Sequence, residues 1–371
     1  MIRTIAGRLC ASTAGLAITA ALAHGAAAQD MAALEAAAKA EGMLTTIALP
    51  HDWCGYGAVI DGFKAKYPDI EVNELNPDAG SADEVEAIRA NKNNTGPQAP
   101  DVIDVGLAFG PSAMAEGLTQ PYKVATWDEI PAGIKDAEGH WYGDYYGVMS
   151  FIVNKDLVPN TPMDWADLMK PDYVGQVALA GDPRASNQAI LGVLAAGLST
   201  GAAAGADAGK AGLEYFAGLN KAGNFVPVIG KAGTLAQGST PIVVAWDYNA
   251  LAWKDALAGN PPVEIVVPKS GVLAGVYVQA ISAYAPHPNA AKLWMEYLYS
   301  DEGQLLWLKG YCHPARFNAM AKAGKIPQDL LDALPPPEGY AAAYFPTLDE
   351  VNANKEAVTS GWDATVGANV Q

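Results

Sequence analysis

Basic side chains, histidine and cysteine are all scarce in this sequence. Its 371 residues carry 23 Lys and Arg against 40 Asp and Glu, a formal net charge of −17. No cationic stripe stands out, so a nucleic-acid partner is not expected, because affinity for phosphate backbones comes mainly from Lys and Arg. Adhesion to anionic lipid headgroups is not expected, on the same ground. Three cysteines in a chain of this length cannot form a disulfide scaffold, and none is needed, since the chain is long enough to bury a large core. Nothing after the first 28 residues reaches 18 consecutive apolar residues, the minimum for a membrane span. Catalytic signatures are missing too: there is no G-x-S-x-G, P-loop, H-E-x-x-H or C-x-x-C. Beyond residue 28 the histidines are His51, His140, His287 and His313, in no spacing that names a metal site or a triad. Asp101 and Asp104 fall on a short buried strand and its end, where a structural or surface role is expected. The chain therefore reads as a non-enzyme without a resident cofactor or metal.

The N-terminus has a composition of its own. Arg3 and Arg8 precede a mostly apolar stretch from Leu9 to Ala23, and Ala26-Ala27-Ala28 supplies small residues before Gln29. This is the pattern of a secretory signal peptide over residues 1–28, with cleavage near Ala28-Gln29. Loss of Arg3 and Arg8 with that segment would take the net charge from −17 to −19. The mature protein is expected to be exported, to the periplasm in a Gram-negative cell. Export places Cys54 and Cys312 in an oxidising compartment, where they can pair with each other. The neighbouring His51 and His313 leave a Cys/His metal site as the alternative.

Elements alternate along the chain. Met43–Leu49 and Ile70–Leu75 read as strands. Between them Val59, Ile60, Phe63 and Tyr67 recur at helical spacing. Ser81 reads as the N-cap of a helix to Asn91, with Glu84 three residues on as its capping-box partner. Asp101–Val105 is a third strand, and Tyr142–Asn154 is a β-rich run long enough to pass from one lobe to another. A second α/β series follows: strands at 177–180, 225–229, 242–245, 265–267 and 275–283, and an apolar helix at 186–198. Asn289–Tyr299 is amphipathic, with Ala290, Leu293, Trp294, Tyr297 and Leu298 on one side. Pro335-Pro336-Pro337 marks a stiff break before a C-terminal tail. Alternation of this kind predicts parallel sheet with helices on both faces.

Three stretches carry a family likeness. Leu49-Pro50-His51-Asp52-Trp53-Cys54-Gly55-Tyr56, followed by Phe63 and Tyr67-Pro68-Asp69-Ile70-Glu71-Val72, resembles the opening of the periplasmic solute-binding proteins of ABC importers. Asp101-Val102-Ile103-Asp104-Val105 resembles their third strand. Ala285-Pro286-His287-Pro288-Asn289-Ala290-Ala291-Lys292-Leu293-Trp294, followed by Ser300-Asp301-Glu302-Gly303-Gln304, is the most specific match. With Gly181-Asp182-Pro183-Arg184-Ala185-Ser186 the likeness spans most of the mature chain. It points to the branch of ferric-ion, polyamine, thiamine, phosphonate and sugar-phosphate binders. The resemblance implies a two-lobed α/β fold of the type II periplasmic-binding-protein kind, each lobe a mostly parallel sheet flanked by helices. The lobes would comprise residues 29–148 with 278–325, and 149–277 with 326–371. Crossing strands are expected near Gly147–Phe151 and Gly275–Ala280. The partners implied are a small-molecule solute and the permease subunits of the importer, with the binding protein itself a monomer.

Ligands of open α/β sheets lie beyond the carboxyl ends of strands. That rule selects His51, Asp52, Trp53 and Tyr56 after the first strand, and Gly80-Ser81 after the second. It also selects Arg184 with Ser186, Asn187 and Gln188 at a helix start, and Trp246, Asp247 and Tyr248 after a later strand. Helix starts and Arg184 suit an anion; Trp53, Trp246, Asp52 and Asp247 suit a cation. A zwitterionic or anionic organophosphonate or phosphate ester is therefore the leading ligand class. A polyamine is the alternative. Ferric ion is a further one, weakened because Tyr248 stands beside Asp247 rather than a second tyrosine, and Tyr145-Tyr146 lies on the crossing strand. A secreted α/β hydrolase is the rival of another class. A ligand role for Asp247 and Ser186 implies that Asp247→Ala and Ser186→Ala weaken binding at little cost in melting temperature.

Overall fold

A computed structural model describes residues 31–333 and 342–371. The leader reading over residues 1–28 and the Pro335-Pro336-Pro337 break lie outside the described residues. The described chain opens with α1 (residues 31–41), β1 (Met43–Ile47), α2 (Tyr56–Lys66), β2 (Glu71–Leu75), α3 (Ser81–Ala90) and β3 (Val102–Gly106). Then come α4 (Phe109–Ala115), β4 (Thr119–Gln120) and the long β5 (Tyr142–Asn154). The second series is α5 (Trp165–Leu168), β6 (Val177–Leu179), α6 (Asn187–Ser199), α7 (Ala206–Ala222), α8 (Ala232–Ala236), β7 (Ile242–Trp246), α9 (Asp247–Leu257) and β8 (Val263–Val266). The chain returns through β9 (Ala274–Ser282) to α10 (Pro288–Leu298), α11 (Asp301–Lys309), β10 (His313–Pro314), α12 (Phe317–Lys322) and α13 (Gln328–Ala333), and ends in α14 (Leu348–Thr365).

Two strands build the two-lobed α/β architecture. β5 pairs with β9 up to Val148, and from Met149 onward with β7, adding β8 from Phe151. One continuous strand thus belongs to both lobes. The sheets are mixed rather than mostly parallel. β1–β2 and β6–β7 are parallel, as expected of β-α-β units, whereas every antiparallel ladder among the described strands contains β5 or β9. The cause is connectivity: a chain that crosses to a second lobe and comes back must run against its neighbours. Residues 225–229 form only a bridge from Phe225 to Val177 instead of a full strand.

The apolar faces are buried where periodicity put them. On α10, Ala290, Leu293, Trp294, Tyr297 and Leu298 are all buried, and the Trp294 ring meets Phe63 of α2 edge-on at 5.1 Å. Each such large side chain contributes about 1.5–3 kcal/mol on burial. Trp362 of α14 is fully buried against Phe216 and Phe225, so the C-terminal helix is part of the second lobe's core. Among the described residues no helix is long and apolar enough to cross a membrane.

Cys54 and Cys312 are joined in a disulfide. It ties the loop after β1 to the turn between α11 and β10. The loop is tight: Gly55 has φ 71°, and a Cβ there would come within 3.1 Å of Gly310 Cα, so glycine is needed on both conformational and steric grounds.

Candidate functional site

The lobes meet over a cavity of about 260 Å³. One wall comes from the loop after β1, the start of α3 and the end of β3. The other comes from the turn after β6, the start of α6, the segment before α8, and α9. The cleft is closed: Ala82 N–H donates across it to Ala185 O at 3.4 Å, and Lys231 Nζ reaches Asp78 Oδ1 at 3.1 Å.

Of the residues selected from the sequence, Asp52, Trp53, Ser81, Ser186 and Asn187 line this cavity, with Gly80 and Gln188 beside them. His51, Tyr56, Arg184, Trp246, Asp247 and Tyr248 do not. His51 is exposed and paired with Glu74 at 2.6 Å. Arg184 is occupied by Asp182 at 2.8 Å, its Nη2 also donating to Asn369 and its Nη1 to Asp363. Trp246 and Tyr248 are fully buried and stacked, with centroids 6.3 Å apart. Tyr248 also meets Trp53 edge-on at 5.4 Å, so both rings support the cavity from behind.

Asp247 has a structural task. Its Oδ1 accepts the Val148 N–H of β5 at 2.9 Å, where the strand passes between lobes. Asp247→Ala is therefore expected to lower stability by about 1–3 kcal/mol, the cost of a buried unsatisfied donor. A melting temperature that does not move would contradict this assignment.

Local folding also differs at α3. The helix starts at Ser81 with Gly80 as N-cap, one residue earlier than the Ser81 cap expected. Asp83, not Glu84, reaches back to Gly80 N–H at 2.9 Å. Ser81 Oγ is freed to accept Gly106 N–H at 3.1 Å, at the carboxyl end of β3. Glu84 is turned into the protein, 2% exposed, and accepts Asp104 N–H at 2.9 Å.

Asp104 is the centre of a buried polar cluster. Its Oδ2 accepts Tyr56 Oη at 2.8 Å and Tyr145 Oη at 2.6 Å, and Tyr145 in turn accepts Trp53 Nε1–H at 2.7 Å. Gln279 Nε2 donates to Tyr56 Oη and to Asp144 Oδ2 at 2.8 and 3.0 Å. Asp144 is the neighbouring carboxyl, and the charge of Asp104 disfavours its ionisation. Burial pushes Asp104 up to about 6, and burial together with the Asp104 charge raises Asp144 and Glu84 well above the usual carboxylate range. Three carboxyls desolvated together cannot all ionise. Among the described residues no group of three or more His, Cys, Asp or Glu is disposed to hold a metal ion.

Sequence reasoning missed Glu84, Asp104, Tyr277, Lys231 and Trp253, all of which line the cavity. Asp104 was within reach of the strand-end rule, since it lies near the carboxyl end of β3. Tyr277 and Trp253 carry no local signal, because they enter the site from a crossing strand and a helix body.

The sequence matches the family model for bacterial extracellular solute-binding proteins over residues 98–333. The chain belongs to that family. An uncharacterized protein of Haemophilus influenzae is 29% identical over 263 residues, 67% of this chain and 70% of its own length. A probable ABC transporter periplasmic-binding protein of Sinorhizobium fredii, y4fP, is 34% identical over 122 residues, 31% of this chain and 32% of its own. Among solved structures, the periplasmic binding protein P5PA superposes with a TM-score of 0.68 at 21% identity, over 88% of this chain and 99% of that one. AfuA of Actinobacillus pleuropneumoniae, with fructose-6-phosphate bound, gives 0.66 at 21% over 87% and 98%. Iron-bound HitA of Pseudomonas aeruginosa gives 0.65 at 17% over 88% and 99%. This solute-binding protein thus shares its two-lobed fold with receptors whose cargoes differ from one another.

Proposed function

We propose that this solute-binding protein is the extracytoplasmic receptor of an ABC importer, and that it captures a small solute bearing an amine, foremost a zwitterion such as an aminoalkylphosphonate or amino acid. The observation that carries the ligand class is the charge of the cavity wall. Among the described residues, Asp52, Asp78, Asp83, Glu84, Asp104 and Asp182 line it against a single cation, Lys231, which is itself paired with Asp78. Arg184, the group that favoured a purely anionic ligand, is engaged by carboxylates. A fully anionic phosphate ester would meet repulsion on the first-lobe wall. Trp53, Trp253 and Tyr277 add ring faces that suit an ammonium group. The anionic end of a zwitterion has the start of α6 opposite, where Asn187 begins the helix and the first-turn N–H groups have no intrahelical acceptor.

The work done is closure rather than chemistry. A ligand touching both walls binds the closed form more tightly and shifts the population toward it. Moving the balance from mostly open to mostly closed takes on the order of 5 kcal/mol of differential affinity. A permease would read the closed form, and ATP hydrolysis belongs to a separate chain. A polyamine is the second reading, favoured by the same acidic wall. A thermal-shift screen across aminoalkylphosphonates, amino acids, polyamines, phosphate esters, thiamine and ferric salts tests the proposal, since a ligand of the native state raises apparent stability. Stabilisation by amine-bearing solutes, saturating at one per chain without turnover, is expected. Stabilisation confined to phosphate esters or iron would overturn the ligand class, and product formation would overturn the receptor role.

A further inference from the structure

The geometry points to a proton-exchanging amine seat: the ligand's ammonium group docks on Glu84 and Asp104, and the Glu84–Asp104–Asp144 cluster gives up a proton to solvent as it does so. This rests on the receptor reading above and adds the position of the charged group and the ion exchanged for it.

Two features set the cluster apart from an ordinary acidic patch. First, it is built into the cavity yet buried: Glu84 and Asp104 line the cavity while being 2% and 5% exposed. Second, a buried polar atom on the opposite wall is left over. Asn187 Nδ2, 4% exposed, makes no well-formed hydrogen bond, and the side chain its amide lies against is Tyr277. A native interior leaves few such groups unpaired, and each one asks for a missing partner. An ammonium supplies donors to Asp104 and Glu84, and a carboxylate or phosphonate on the same solute supplies the acceptor for Asn187.

The exchange balances in charge. In the empty site burial and mutual repulsion keep the three carboxyls from all ionising together, so the cluster holds at least one proton. The groups facing the cluster are Tyr56 from α2, Asp83 from α3, Asp144 and Tyr145 from β5, Tyr248 from α9, Tyr277 from β9 and Tyr299 after α10. The tyrosines are all raised by burial and stay neutral, so among these groups the carboxyls alone ionise. An arriving ammonium within about 4–6 Å favours the ionised carboxylates. The solute keeps its own proton, and the proton released comes from the cluster. Affinity therefore rises with pH until the raised carboxyls of the empty cluster lose their proton without ligand.

Matched solutes test this by titration calorimetry at pH 6.5 in phosphate and in Tris, whose ionisation enthalpies differ. The pairs are 2-aminoethylphosphonate with ethylphosphonate and 4-aminobutyrate with butyrate, together with putrescine. The proposal expects an amine member to bind at least 100-fold tighter than its des-amino partner, with a buffer-dependent enthalpy that reports proton release. Glu84→Gln should cut affinity at least 10-fold and reduce the release. Asp144→Asn, which contacts no ligand in this scheme, should lower the release and flatten the pH dependence. Equal binding within a pair, or amine binding with a buffer-independent enthalpy, overturns the seat and leaves the receptor standing. Binding of sugar phosphate or ferric ion without any amine does the same. Binding of no solute at all counts against both.

Discussion

Replacing Cys54 and Cys312 together with serine is expected to lower the unfolding free energy by about 2–5 kcal/mol, the range for loss of a native disulfide in an exported domain. The cross-link joins residues 258 apart, so its removal frees much of the unfolded chain. The consequence extends to the site. Cys54 sits beside Trp53, whose indole N–H holds Tyr145 and through it Asp104. Cys54 itself has φ 51° and leads into Gly55, so the loop adopts a left-handed turn held against Gly310 by the cross-link. Loosening it would let Trp53 and Asp52 move out of the cavity wall. Chemical denaturation under oxidising and reducing conditions, with ligand titration in both, measures the two effects together. Unchanged stability on reduction would mean that the two thiols do not pair in the protein.

Gly106→Ala is expected to weaken ligand affinity at least tenfold while leaving ligand-free stability nearly unchanged. Gly106 ends β3 in the first lobe, and a Cβ there would lie 1.9 Å from Asn187 Cγ in the second. The contact exists only when the lobes are together. The open form accepts the methyl without strain, because Gly106 is not among the glycines with positive φ. Closure would require the Asn187 amide to be displaced from its buried position, so the substitution taxes the closed state alone. Affinity then falls by the shift in the open–closed balance. An equal loss of thermal stability in the empty protein would instead point to a defect inside the first lobe.

Local pattern carried the individual elements well. The strand-helix-strand-helix opening, α6 and the apolar stripe of α10 follow from periodicity that tertiary packing reinforces. The mixed pairing of the sheets was not readable, because antiparallel neighbours arise from how β5 and β9 cross between lobes, and no short window of sequence records a crossing. The site divided in the same way. Trp53, Ser81, Ser186 and Asn187 lie at strand or helix ends and were found by that position. Glu84 was read as a capping residue because Ser81 looks like an N-cap; one residue of shift hands the box to Asp83 and turns Glu84 inward. Arg184 and Asp247 have the right chemistry at the right ends, and their charges are engaged by Asp182 and by the Val148 N–H, partners that only the folded chain brings near.

Small-angle scattering of the purified protein, first stripped of bound solute and then saturated with the tightest amine in the screen, reaches the heart of the account. Ligand should shrink the radius of gyration in the wild type, and Gly106→Ala should stay expanded at the same solute concentration. Superimposable profiles for empty and saturated wild-type protein would contradict a receptor that works by closing two lobes on its cargo.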